Sequence, residues 1–250
     1  MNIFGRYVLL FFQGPVAAGM YTAASKLPSL MNFLSTIFQQ AWQISAAQEL
    51  ESKDGVTYFS KVFSVFSSFL YCGCSMLISF SMPIALILLQ GEFFEGWRFV
   101  PLLMSVALIG CISAFFGTFY NAAKRTTAVF LSTMIGATVN VALALSTVEV
   151  VGIWGVLVAS VVGQCLTLAY RMVDSRKIAP ITYNVRNQIV SVFVLVTQIT
   201  LVTTLPDFVG LLISFLLSIC LLAYQWRDNG RYVKNAASSL FAGRIGEKLH

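Results

Sequence analysis

Acidic side chains are scarce in this sequence. Of its 250 residues only ten are Asp or Glu, and all ten fall between or at the ends of the long apolar runs. A proton- or sodium-coupled relay within this segment is therefore disfavoured, because such relays usually rest on an intramembrane carboxylate. Histidine is rarer still. The only one is His250, the last residue, so neither His-based catalysis nor a His-rich metal site can be assembled. There is no Gly-rich phosphate loop and no paired carboxylates in a plausible pocket. The five cysteines (Cys72, Cys74, Cys111, Cys165 and Cys220) lie inside apolar runs without metal-ligand spacing. They read as small core residues. The chain is expected to be no enzyme and to need no cofactor or metal.

Charge of either sign is also short. Charged residues make up 10% of the chain against about 25% in a soluble domain, hydrophobic residues make up 58%, and the mean hydropathy is +0.81. That composition makes the protein an integral membrane protein. The net charge of +6 suggests nucleic acid at first sight, but the basic residues sit between apolar runs and form no single patch. Such placement is the signature of membrane topology, and no nucleic-acid partner is expected.

Apolar runs at 62–89, 99–120, 128–148, 153–170, 189–205 and 208–224, together with the stretch 17–43, predict seven full spans. Residues 3–12 read as the end of an eighth whose beginning is missing, since the apolar run 7–12 falls short of the roughly 7–15 residues of a secretory signal. The expected fold is all-α, a polytopic membrane helix bundle of about seven full transmembrane spans plus the end of an eighth. Between the spans, 49–61 reads as an aqueous connection, 90–98 as an acidic and aromatic loop with Trp97 as an interfacial anchor, and 171–187 as a basic connection carrying Arg171, Arg176, Lys177 and Arg186. Ser64, Ser68, Tyr71, Ser75 and Ser79 recur at helical spacing, a pattern that favours close packing over a second cavity wall. Gly155, Ala159 and Gly163 form a small-residue ridge suited to tight helix contact. The tail 231–250 reads as an amphipathic helix on the membrane surface. Assigning connections alternately to the two sides leaves only Arg6 and Arg98 on one of them. Every other basic residue except Lys26 falls on the side of the C-terminus, so that end is expected to be cytoplasmic.

The stretch 17–43 is long enough to cross a bilayer, yet half of it is polar. At 100° per residue, Tyr21, Thr22, Ser25, Lys26, Ser29, Asn32, Ser35, Thr36, Gln39, Gln40 and Gln43 share one broad face, interrupted only by Phe33. Ala23, Ala24, Leu27, Leu30, Met31, Leu34, Ile37, Phe38, Ala41, Trp42 and Ile44 share the other. Lipid does not solvate amides, hydroxyls or an ammonium, so the polar face must look onto neighbouring helices or a wet cavity. Thr22, Ser25, Lys26, Ser29, Asn32, Thr36, Gln39, Gln40 and Gln43 are the substrate-cavity candidates. Lys26 is the one charge deep in a predicted span. Either it snorkels to the outer interface, or it faces an anionic cargo whose hydroxyls the surrounding Ser, Thr, Asn and Gln suit.

These residues carry a resemblance. The run Gly19-Met20-Tyr21-Thr22-Ala23-Ala24-Ser25-Lys26-Leu27-Pro28, Asn32, and Gln40-Ala41-Trp42-Gln43-Ile44-Ser45-Ala46 look like the opening of the second half of bacterial polysaccharide flippases. These belong to the multidrug/oligosaccharidyl-lipid/polysaccharide exporter superfamily. Phe119-Tyr120-Asn121-Ala122-Ala123-Lys124-Arg125-Thr126, Gly136-Ala137 with Asn140, and Gly152 with Gly155 add to it. Gly5 stands where the pattern often has an acidic residue, and Val148 where proline is common. The resemblance implies the C-terminal half of a transporter of about fourteen spans that moves undecaprenyl-diphosphate-linked oligosaccharide, an O-antigen or capsule repeat unit, across the bacterial cytoplasmic membrane. Residues 1–13 are then the tail of a truncated span, 14–172 a second-half bundle of five spans, 173–226 two additional spans, and 227–250 a cytoplasmic tail. The implied partners are the lipid-linked oligosaccharide, the bilayer, the missing N-terminal bundle or a second copy of the chain, and other polysaccharide assembly proteins. A multidrug or cation-coupled exporter of the same superfamily, a membrane-embedded polymerase or glycosyltransferase, and a non-catalytic scaffold are the competing classes.

Overall fold

The computed structural model describes residues 2–49, 55–88, 91–178, 180–205 and 208–246. These fold as α1 (Asn2–Phe12), α2 (Gly14–Ala24), α3 (Lys26–Glu49), α4 (Gly55–Ser79), α5 (Ser81–Leu88), a 3-10 helix Gly91–Phe99, α6 (Val100–Ala122), α7 (Thr126–Val151), α8 (Ile153–Asp174), a 3-10 turn Ser175–Lys177, α9 (Val185–Thr204) and α10 (Phe208–Gly246). No strand occurs among them. Six segments are long and apolar enough to cross a membrane: Gly55–Ser79, Phe93–Ala122, Thr126–Val151, Ile153–Lys177, Val185–Thr204 and Val209–Arg227. The protein is an all-α, multi-pass membrane helix bundle. The stretch 17–43 is helical as α2 and α3 but does not count among the six, because α2 is only 11 residues long and α3 is too polar.

Helix α6 lies at the centre. It is apolar all round, as a helix enclosed on every side must be, and packs against α3, α4, α7, α8 and α9. Helix α7 lies at the periphery, with Phe130, Leu131, Met134 and Leu145 exposed, side chains that a lipid environment accommodates without cost.

Prolines set two of the breaks. Helix α2 ends at Ala24, four residues before Pro28, and α4 ends at Ser79, four residues before Pro83. In each case the carbonyl that closes the helix has lost its donor, because proline carries no N–H. The apolar run expected over 62–89 is therefore two helices, and the first begins as early as Gly55, inside the expected aqueous connection. Residues 50–54 of that connection lie outside the described residues.

Helices α7 and α8 pack closest. The turn between them is a single residue, Gly152, at φ 61, a conformation glycine adopts without penalty. Further along, a Cβ on Gly163 would lie 2.6 Å from the Gly136 carbonyl oxygen and 2.9 Å from Asn140 Cβ. The small-residue ridge is thus a contact surface, and Asn140 Nδ2 bonds Ser160 Oγ across it at 3.2 Å.

The serine stripe of α4 is also a packing surface. It meets α9 and α10 in a ladder of hydroxyls and amides. Ser68 donates to Gln225 Oε1 (2.7 Å), Tyr71 to Gln188 Oε1 (2.7 Å) and Ser75 to Gln198 Oε1 (2.9 Å). Ser79 Oγ lies 2.9 Å from Ser214 Oγ and 2.7 Å from Ser218 Oγ. Gln225 Nε2 returns to Ser191 Oγ at 2.6 Å, and Asn187 Nδ2 reaches Gln225 Oε1 at 3.0 Å. Polar groups buried in a membrane protein must find partners within it, and here three helices supply them to one another.

Four further expectations are corrected. Trp97 is not an interfacial anchor but buried at 3% exposure, within the 3-10 helix that packs on α2, α5 and α6. Cys74 and Cys111 are core residues, whereas Cys72 is half-buried and Cys165 and Cys220 are exposed; in lipid an apolar thiol gains little from turning inward. No break separates the last span from the tail, since α10 runs unbroken to Gly246; the last four residues lie outside the described ones. Arg171 does not belong to an aqueous connection but is buried in the last turn of α8.

Candidate functional site

The polar stripe of α2 and α3 is built on a bent helix. Pairing across the bend survives through Ser25, whose N–H reaches Tyr21 O at 3.0 Å and whose carbonyl accepts from Ser29 N at 3.2 Å, while Pro28 has nothing to offer Ala24. Lys26 is the first residue of α3. Further along, α3 is fastened to α6 and α4. Trp42 Nε1 donates to Thr118 Oγ1 on α6 at 3.1 Å, its ring stacks on Phe115 at 5.4 Å, and Phe38 stacks on Phe66 of α4 at 4.2 Å.

The inward side of this helix is only part of its apolar side, together with Tyr21 and Ser35 from the polar face. Tyr21, Ala24, Leu27, Pro28, Met31, Ser35, Trp42 and Ala46 are buried, whereas Leu30, Leu34, Ile37 and Ile44 of the expected apolar face are exposed. The buried arc straddles the boundary between the two faces. Apolar side chains have no reason to turn from lipid, so packing alone selects the inward arc. The outward surface accordingly carries two parallel bands, one polar and one apolar.

Of the candidate residues, Lys26, Ser29, Thr36, Gln40 and Gln43 are exposed on the polar band, and Thr22, Ser25, Asn32 and Gln39 are half-buried at its edge. Four hydroxyls are spent on their own helix: Thr22 on Ala18 O (2.7 Å), Ser25 on Tyr21 O (2.7 Å), Ser29 on Lys26 O (2.5 Å) and Thr36 on Asn32 O (2.8 Å). They offer only oxygen lone pairs outward. Gln39 Nε2 bonds Ser35 Oγ at 2.8 Å, and Asn32 Oδ1 accepts from Cys111 Sγ at 3.5 Å. The donors left for a ligand are the ammonium of Lys26 and the amide groups of Asn32, Gln40 and Gln43. Among the described residues no carboxylate lies within 4 Å of Lys26. The band thus presents oxygen acceptors, amide groups and one cation.

The chain matches no protein-family model, no curated protein and no solved structure. Among the described residues no group of His, Cys, Asp and Glu is placed to hold a metal ion. A surface pocket lined by Tyr7, Val8, Leu10, Phe11 and Phe12 lies on α1 and includes none of the candidates.

One buried cation escaped the sequence reading. The Arg171 guanidinium donates from Nε to Ser132 Oγ, from Nη1 to Ser113 O and from Nη2 to Thr133 Oγ1, each at 3.0 Å, with no carboxylate within 4 Å among the described residues. It ties α6, α7 and α8 together through neutral dipoles. The only sequence signal available was the small residue Gly117, whose Cβ would lie 3.2 Å from Nη1.

Proposed function

We propose that the chain forms one bundle of a flippase-type transporter that passes lipid-linked oligosaccharide, carried on undecaprenyl diphosphate, across the bacterial cytoplasmic membrane. The observation that carries this reading is the outward polar band on a bent membrane helix, with Lys26 unpaired at the bend. Lipid on all sides would leave that band unsolvated. A partner bundle facing it would close a wet passage lined by oxygen acceptors, amides and one cation, matched to sugar hydroxyls and a diphosphate. Alternating access in such systems comes from one bundle rocking against another around a fixed site. The excess of basic residues on the side of the C-terminus supports a cytoplasmic location for that end.

The test is binding by the purified chain of a short-chain polyprenyl diphosphate bearing an oligosaccharide. Lys26→Ala is expected to weaken binding at least tenfold and Lys26→Arg to retain part of it, because the charge is what matters although the guanidinium fork sits differently. Equal binding by Lys26→Ala and the parent at equal folding would overturn the reading.

A further inference from the structure

Arg171 is 8% exposed and carries its charge into the bundle. Buried charges are ordinarily paired, because taking a bare one out of water is expensive. Around this guanidinium every described partner is neutral. Ser113 O is a backbone carbonyl. The hydroxyl hydrogens of Ser132 and Thr133 go to Val129 O at 2.9 and 2.8 Å, so both hydroxyls turn lone pairs to Arg171. Asp174, the nearest carboxylate along α8, holds Lys177 at 2.8 Å instead. A guanidinium has five N–H groups, and these bonds use three. The second N–H of Nη1 and that of Nη2 have no acceptor among the described residues.

Two features of α6 lie beside them. Ser113, whose carbonyl accepts from Nη1, is 2% exposed, and its own Oγ has no hydrogen-bond partner among the described residues. It is a second buried donor without an acceptor, in the very residue that Nη1 reaches. Gly117, one turn on and on the same face of α6, is buried and supplies room. A Cβ built there would lie 3.2 Å from Nη1 and 3.9 Å from Cζ of Arg171. Apart from its chain neighbours and its own helix backbone, it would meet nothing else within 4 Å. Space for a methyl group therefore opens onto the guanidinium, and a chloride ion is close to a methyl group in size.

We propose that Arg171 and Ser113 hold a small inorganic anion, chloride in size and charge, where α6, α7 and α8 meet. The second N–H of Nη1 and the Ser113 hydroxyl donate to it beside Gly117, and its charge offsets that of the guanidinium. A water molecule there would accept the same two bonds but leave the buried charge uncompensated. Phosphate is too large for a methyl-sized gap. The ion turns a clamp of neutral dipoles into an ion pair, so the packing of α8 on α6 and α7 depends on it.

The experiment uses the full chain purified in neutral detergent. The thermal unfolding midpoint is read in chloride, gluconate and phosphate at equal ionic strength, which holds screening constant. Above the dissociation constant, each tenfold increase in chloride should raise the midpoint by about 3–5 °C, and neither other anion should substitute. General salt effects act on parent and variants alike, so the comparison removes them. Ser113→Ala should shift in opposite directions. In gluconate its midpoint should equal or exceed the parent's, because a buried hydroxyl without a partner is gone. In chloride it should need at least about tenfold more salt for the same rise, because a bond to an ion is lost. Gly117→Ala puts a methyl group where the ion sits and should abolish the chloride response while favouring the helix, so it carries the test if Ser113→Ala folds poorly. Equal midpoints for the parent in chloride and gluconate would overturn the proposal in favour of a water molecule. A parent-sized chloride response in both variants would overturn it as well.

Discussion

Replacing Gln198 with leucine tests whether the ladder between α4, α9 and α10 holds the bundle together. Gln198 has no exposed surface. Its Nε2 donates to Ser214 O at 2.8 Å and Ser218 Oγ at 2.9 Å, and its Oε1 accepts from Ser75 Oγ at 2.9 Å. A hydrogen bond between membrane helices contributes about 0.6 kcal/mol on average, so the loss of three costs about 2 kcal/mol. The orphaned hydroxyls keep other partners, since Ser218 Oγ also reaches Ser75 O at 3.1 Å, and this keeps the cost near the average. About 2 kcal/mol is a roughly 30-fold change in the folding equilibrium. The measurement is reversible unfolding of the purified protein in mixed micelles by a denaturing detergent. Thr200→Val is the control, because that exposed hydroxyl bonds only Val196 O of its own helix, and it should change stability by less than about 0.5 kcal/mol. A Gln198→Leu protein as stable as the parent would refute the reasoning. The ladder would then be polar groups merely tolerated by one another.

Three other outcomes are expected. With the exposed Cys165 and Cys220 replaced, single cysteines at Ser29, Thr36 or Gln40 should react with a membrane-impermeant thiol reagent, and cysteines at Leu30 or Leu34 should not; equal labelling of both sets would mean the two bands face the same medium. Reporter fusions after Tyr224 should be active only with a cytoplasmic reporter, and a periplasmic signal there would reverse the charge-based orientation. Gly163→Ala should destabilise by about 1–3 kcal/mol because its Cβ meets the Gly136 carbonyl at 2.6 Å, whereas Gly73→Ala, with nothing within 4 Å, should be neutral or stabilising; similar stability for the two variants would contradict the tight α7–α8 contact.

Apolar length and helical spacing made several elements legible. The membrane helices, the α7–α8 ridge and the packing role of the α4 serines all follow from patterns that repeat every turn. The polar band was legible too, because lipid gives polar residues no alternative to gathering. What escaped were directions. In water the apolar face of a helix points inward, but in lipid that rule lapses, so Leu30 and Leu34 point out while Ser35 points in. Nor could spacing indicate that Arg171, so near the end of its helix, reaches back into the bundle instead of out to water. Its three partners sit 38 to 58 residues away in the chain, and no local pattern encodes such a distance.

The α4–α9–α10 ladder also bears on how the chain enters the membrane. Helix α9 emerges from the ribosome carrying Asn187, Ser191 and Gln198, all buried in the finished bundle. Alone in hydrocarbon these groups have no partner outside the helix itself. The Ser75 partner on α4 is made earlier, and the partners on α10, Ser214, Ser218 and Gln225, follow 10 to 21 residues after the end of α9. The last two helices are therefore best released from the insertion machinery as a pair, with α4 already waiting beside the exit. A chain whose α10 is removed should leave α9 half-matched and mark it for quality-control proteolysis.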